Sequence, residues 1–259
     1  MKHQIGTKIV LLFLLIALAI SACSPVATTP APTDTPQPTA TQTTVPTATS
    51  TPTRTPRPTF TPNFAATQQA EEFKAEVQSY VDQGFLANTE GSMEEFDDFS
   101  LEWAQLGWYD MDVLPVQASD FFISSHVRWA SAYQNADVSG CGYVFSLQEN
   151  GDHYAIFLDR SQILFLITSN QHGRSAGPTR GTGRVKFDNP FDKPVDADFT
   201  VIVNDSYVYA LVDGELVGEY TLAQSRGYEG FVALTLLSGT NKDFGTRCLM
   251  TDIHLWTPK

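Results

Sequence analysis

Apolar residues return at intervals of four, three, four and three through Ala66, Ala70, Phe73, Val77 and Tyr80, which places them on one face of a helix. Thr61-Pro62 reads as a cap followed by a proline at the first helical position, and Gly84 supplies a stop, so the helix is predicted over residues 63–84. Its stripe predicts packing on the domain that follows, although the same period of about 3.5 residues also suits a short self-associating coil. Past Gly84 the period changes. Residues 119–130 are rich in β-formers with partial alternation, and 141–147, 153–159 and 162–168 follow as short apolar runs punctuated by Asn150-Gly151 and Asp159-Arg160. Residues 199–204, 207–212 and 215–220 are separated by Asp205-Ser206 and Asp213-Gly214, and 231–237 and 248–256 complete the set. Short strands at hairpin spacing, without helix–strand alternation, predict an all-β domain over 85–259: an antiparallel two-sheet sandwich.

The chain before the helix follows different rules. Lys2 and Lys8 precede an uninterrupted apolar run from Ile9 to Ile20, closed by Ser21-Ala22-Cys23. That order is a signal peptide over residues 1–22, and the run is shorter than the roughly 20 residues of a membrane span. Ile20-Ser21-Ala22-Cys23 resembles the bacterial lipobox, which implies lipid on the Cys23 thiol and a membrane anchor on the extracytoplasmic side. Ser24 is not the Asp that often signals inner-membrane retention, so a surface location is permitted. From 23 to 62 the chain is mostly Thr, Pro, Ala, Ser and Gln. Ten of the fifteen prolines fall there, which predicts a disordered, extended linker reaching on the order of 100 Å.

With Cys23 assigned to lipid, Cys141 and Cys248 remain as an even pair in an oxidising compartment and are predicted to be bonded. Four of the 16 Lys/Arg and one of the 29 Asp/Glu precede residue 64, leaving 12 against 28 in the remainder. So acidic a surface argues against nucleic acid and leaves glycans, cations or basic proteins as partners.

Three segments carry a family resemblance: Asp120-Phe121-Phe122-Ile123 through Trp129, Gly140-Cys141-Gly142-Tyr143-Val144-Phe145, and His153-Tyr154-Ala155-Ile156-Phe157-Leu158. They look like the opening strands of concanavalin A-like lectin and glucanase jelly rolls. Val208 to Val217, with its Asp213-Gly214 turn, resembles a hairpin of laminin G-like domains, and Gly227 to Leu234 and Cys248 to Trp256 fit the end of the same family. The similarity covers about residues 86 to 259 and implies a jelly roll with a curved concave face and no particular ligand.

Glucanases of this fold carry a Glu-aliphatic-Asp-x-x-Glu strand that places acid and nucleophile about 5 Å apart. The chain lacks it: Glu94-Glu95-Phe96-Asp97-Asp98 has the wrong order and is placed before the sandwich core. Neither a Gly-x-Ser-x-Gly elbow nor His-Glu-x-x-His occurs, so no catalytic residue is assigned. Asp188, Asp192, Asp196 and Asp198 gather hard oxygen ligands in one loop that would suit Ca2+. A solvated acidic loop broken by prolines is the preferred reading, and no cofactor is required. For glycan binding the candidates are Trp129, Tyr133, Tyr143, Tyr154, Arg160 and Arg174, with Trp103, Trp108 and Trp256 assigned to packing. Ser169 to Gly183, with Gly173, Gly177, Gly181 and Gly183, reads as a long polar loop bordering a site. The function expected is a non-catalytic recognition module for carbohydrate or another surface ligand; a protein-interaction domain is the alternative, and a glycoside hydrolase comes last.

Overall fold

The computed structural model describes residues 64–134, 136, 138–176, 183–185, 187, 193–222 and 229–259, with side chains from residue 68 onward except at Ala176. The predicted signal peptide, Cys23, the linker, Asp188 and Asp192 lie outside the described residues. Helix α1 spans Phe64–Asp82. Strands β1 (Gly91–Phe96), β2 (Phe99–Trp103), β3 (Trp108–Ala118), β4 (Phe121–Ser131), β5 (Gly140–Leu147), β6 (His153–Leu158) and β7 (Ile163–Ser169) follow it. Then come β8 (Gly173–Ala176), β9 (Val195–Asn204), β10 (Tyr207–Val212), β11 (Glu215–Thr221), β12 (Gly230–Ser238) and β13 (Thr246–Pro258). No helix among the described residues is long and apolar enough to cross a membrane.

The strands form an antiparallel two-sheet jelly-roll sandwich. One sheet runs β1-β13-β4-β9-β10-β11, with β2 also paired to β13, and the other runs β3-β12-β5-β6-β7-β8. Hairpin turns set the register where the sequence marks them. Asp213 and Gly214 both take positive φ, so the two-residue turn matches the twist of β10 and β11.

Between the sheets, Ile123, Val127 and Trp129 of β4 and Phe199 and Val201 of β9 meet Tyr143 and Phe145 of β5 and Ile156 of β6 in one buried cluster. Cys141 on β5 and Cys248 on β13 are bonded across it, with 107 residues between them, as the cysteine arithmetic anticipated. Gly142 has no room for a side chain, because a Cβ there would collide with the Ile156 carbonyl of the neighbouring strand.

Each sheet also covers part of its outer face. On the first, Phe73, Val77 and Tyr80 of α1 pack against Phe122, Ile202, Leu211 and Trp256; Ala70 is exposed. The helical stripe is therefore a lid on the sheet. On the second, Val144, Ala155, Phe157, Leu166, Ala233 and Leu237 form an apolar layer flanked by Tyr109, Met111 and Leu164. Covered on both faces, β6 is buried at all six positions, which explains its nearly unbroken apolar run.

Several expectations are corrected here. Glu94-Glu95-Phe96 does not precede the sandwich but lies within β1, paired with β13. Residues 173–176 of the expected polar loop are strand β8. Strand β3 escaped the pattern because Asp110, Asp112 and Pro115 interrupt it; at a sheet edge a proline sacrifices no ladder bond. Trp108, assigned to packing, is 59% exposed, whereas Trp256 is buried.

Candidate functional site

The sheet pairing brings the end of β4, the β4–β5 connection and the β6–β7 turn together at one end of the sandwich. There they enclose a cleft of about 440 Å³ lined by Trp129, Ser131, Tyr133, Gln134, Asp159, Arg160, Ser161 and Gln162, with Val185 and Phe187. Trp129 ends the inward-facing row of β4, opposite Val195 on β9 and Cys248 on β13, and only 3% of its surface is exposed. Arg160 lies over it, its guanidinium carbon 5.7 Å from the ring centre, while Nη2 donates to the Lys193 carbonyl at 2.6 Å. Tyr133 is exposed, and the Lys242 Nζ stands 3.8 Å from its ring centre. Asp159 is tied into its own turn: Oδ1 accepts from the Ser161 N–H and hydroxyl at 3.1 Å each, and Oδ2 accepts from the Ser139 N–H at 3.2 Å.

Polar atoms at this end of the sandwich are incompletely paired. Among the described residues, three buried side-chain atoms lack a hydrogen-bond partner: Trp103 Nε1, Trp129 Nε1 and Thr246 Oγ1. They share a neighbourhood, since Trp103 pairs with Thr246, Thr246 with Ser131, and Cys248 with Trp129. An unpaired buried polar group costs about 1–3 kcal/mol, and of these three residues Trp129 lines the cleft.

Of the six candidates for ligand contact, the cleft therefore unites Trp129, Tyr133 and Arg160. Tyr143 and Tyr154 are corrected to core residues, both fully buried. The Tyr143 hydroxyl is held between Ser125 Oγ (2.6 Å) and the Phe199 carbonyl (2.9 Å), and burial raises its pKa. Arg174 lies on β8, where its guanidinium packs over Trp108 and Tyr109 and donates to the Gly107 carbonyl, bracing the start of β3. Sequence reasoning missed Ser131, Gln134, Gln162 and Lys242, whose only local signal was proximity to turns.

A second cleft, about 380 Å³, lies beside α1 on the outer face of the first sheet and includes Glu76, Tyr80, His126, Asp198, Asp252 and His254. Two residues of the expected acidic loop, Asp196 and Asp198, lie on a strand beside it. Asp196 and Asp198 project outward from strand β9, where His126 bridges them, Nε2 to Asp196 at 3.0 Å and Nδ1 to Asp198 at 2.8 Å. Arg128 adds a longer contact to Asp196 at 3.7 Å. Asp198, chiefly by its hydrogen bond, raises the His126 pKa, and the charge on Asp196 adds to the effect. Among the described residues no three His, Cys, Asp or Glu side chains are placed to hold a metal.

No protein-family model and no curated protein sequence matches the chain. Solved structures do resemble it at low identity. A carbohydrate-binding module, CBM66 from Bacillus subtilis, is 12% identical over 62% of this chain and 92% of that one, with a TM-score of 0.43. Sheep galectin-11 is 6% identical over 58% and 98%, with a TM-score of 0.35. A prokaryotic β-1,3-1,4-glucanase (lichenase) derived from a mouse hindgut metagenome is 12% identical over 63% and 100%, with a TM-score of 0.38.

Proposed function

We propose that this protein is a non-catalytic surface recognition module, anchored through lipid on Cys23, that binds carbohydrate in the cleft of Trp129, Tyr133 and Arg160. The observation that carries this reading is the cleft itself, which gathers Tyr133, Arg160 and Trp129, the last with an indole Nε1 that has no hydrogen-bond partner among the described residues. Its volume lies in the range of small-molecule sites. Ser131, Gln134 and Gln162 offer neutral polar groups suited to sugar hydroxyls. Asp159, its carboxylate engaged by its own turn, is a support rather than an acid catalyst. A glycan array probed with the full chain in detergent micelles tests the assignment: binding to at least one glycan and its loss in Trp129→Phe are expected. Silence across the array together with capture of a protein partner would sink it. Anchoring is tested separately by radioactive palmitate labelling, which Cys23→Ala should abolish.

Protein recognition is the second reading, favoured by exposed Leu106, Trp108 and Val113 on β3 and the loop before it. Crosslinking on intact cells with a photoreactive residue at position 108 separates the two.

A further inference from the structure

We infer that the cleft is selective for an uncharged saccharide, recognised through its hydroxyls and not through ionic groups. This rests on the carbohydrate reading of the cleft and deepens it. Asp159 and Arg160 are the ionised side chains among the described lining residues, and both are engaged inside the protein. Asp159 accepts from the Ser139 N–H and from the N–H and hydroxyl of Ser161. Arg160 donates to the Lys193 carbonyl, lies over the Trp129 ring and makes a further contact. Acid and base cancel, so the described lining carries no net charge, in a chain that holds 12 basic against 28 acidic residues beyond residue 63.

The groups left over are neutral. The side-chain carboxamides of Gln134 and Gln162 line the cleft and make no hydrogen bond among the described residues. Each offers a donor and an acceptor, which is what a sugar hydroxyl, itself both, can answer. The Trp129 indole Nε1 lacks a partner and can only donate, so it calls for an acceptor oxygen. One face of each ring is already covered, with Arg160 5.7 Å from the Trp129 ring centre and Lys242, outside the lining, 3.8 Å from that of Tyr133. Hydrogen bonds to neutral groups therefore carry the selectivity. A carboxylate or sulfate entering here would shed hydration without meeting an unengaged cation, and an ammonium would find the Asp159 carboxylate taken. The acidic remainder of the surface adds long-range repulsion of polyanions.

Frontal affinity chromatography of the full chain in sugar-free detergent micelles tests this, on columns carrying a neutral β-glucan, a neutral galactomannan or polygalacturonate. Retention on a neutral column and none on polygalacturonate is expected. That retention should change less than about twofold between about 50 and 500 mM NaCl, since salt has no ion pair to screen. The Gln134→Leu/Gln162→Leu double variant should weaken it about tenfold or more, through the loss of two neutral hydrogen-bonding groups. Near-UV circular dichroism matching the unsubstituted protein shows that the variant is folded. Salt-sensitive retention on polygalacturonate, or neutral retention that the double variant leaves unchanged, would overturn the inference and leave the carbohydrate reading standing. Retention on no column removes both.

Discussion

The Tyr109 hydroxyl, on edge strand β3, lies 2.5 Å from His153 Nε2 on β6, a contact that crosses the outer face of the second sheet over β12 and β5. His153 Nδ1 donates to the Gly151 carbonyl at 2.8 Å, so Nε2 accepts from Tyr109, whose oxygen in turn accepts from Thr168 Oγ1 at 2.7 Å. The Tyr109 ring rests on Phe157, and burial raises the pKa of its hydroxyl. Between these strands the outer face of the second sheet is filled with apolar side chains.

Tyr109→Phe should therefore destabilise the fold by about 1–3 kcal/mol, because it strips the hydroxyl from buried His153. Urea unfolding measures this, and glycan retention should stay unchanged, since Tyr109 is not among the residues lining the cleft.

Opening the bond between Cys141 and Cys248 releases a 107-residue loop constraint. The chain-entropy account assigns such a loop about 4–5 kcal/mol, so the urea midpoint should fall steeply in the Cys141→Ala/Cys248→Ala double variant. An unshifted midpoint would show that the cross-link does not constrain the unfolded chain.

Tyr143→Phe should leave Ser125 and the Phe199 carbonyl short of a partner in the core and cost about 1–3 kcal/mol. Ligand binding should be untouched. Loss of binding without loss of stability would return Tyr143 to the candidate site.

His126 gives stability a pH dependence of definite sign. Its folded-state pKa is raised above 6.5, so its contribution is fully present below that value and is lost as pH rises through the folded pKa. With 41% of the side chain exposed, solvent screening limits the effect to less than about 1 kcal/mol. Melting temperatures from pH 6 to about 8.5 should decline more in the wild-type chain than in Asp198→Asn. Equal slopes would dismiss the pairing as a source of stability.

Local chemistry was enough to read much of this fold. Asp213-Gly214 announced a hairpin because few residues accept positive φ at both positions, and the two cysteines had only each other once Cys23 was assigned to lipid. The spacing of Phe73, Val77 and Tyr80 likewise marked the face that α1 lays on the sheet. The site was half legible: Trp129, Tyr133 and Arg160 were candidates by residue type, but so were Tyr143, Tyr154 and Arg174, which do other work.

By itself, then, the sequence determined periodicity, turns, the cysteine pair and a β-sandwich, because each is written in residues close together or few in number. Tertiary structure alone decided which aromatics touch solvent and which cations lie over them. Burial is set by what covers a side chain, and Lys242 reaches Tyr133 from more than a hundred residues away only after the strands between them have paired.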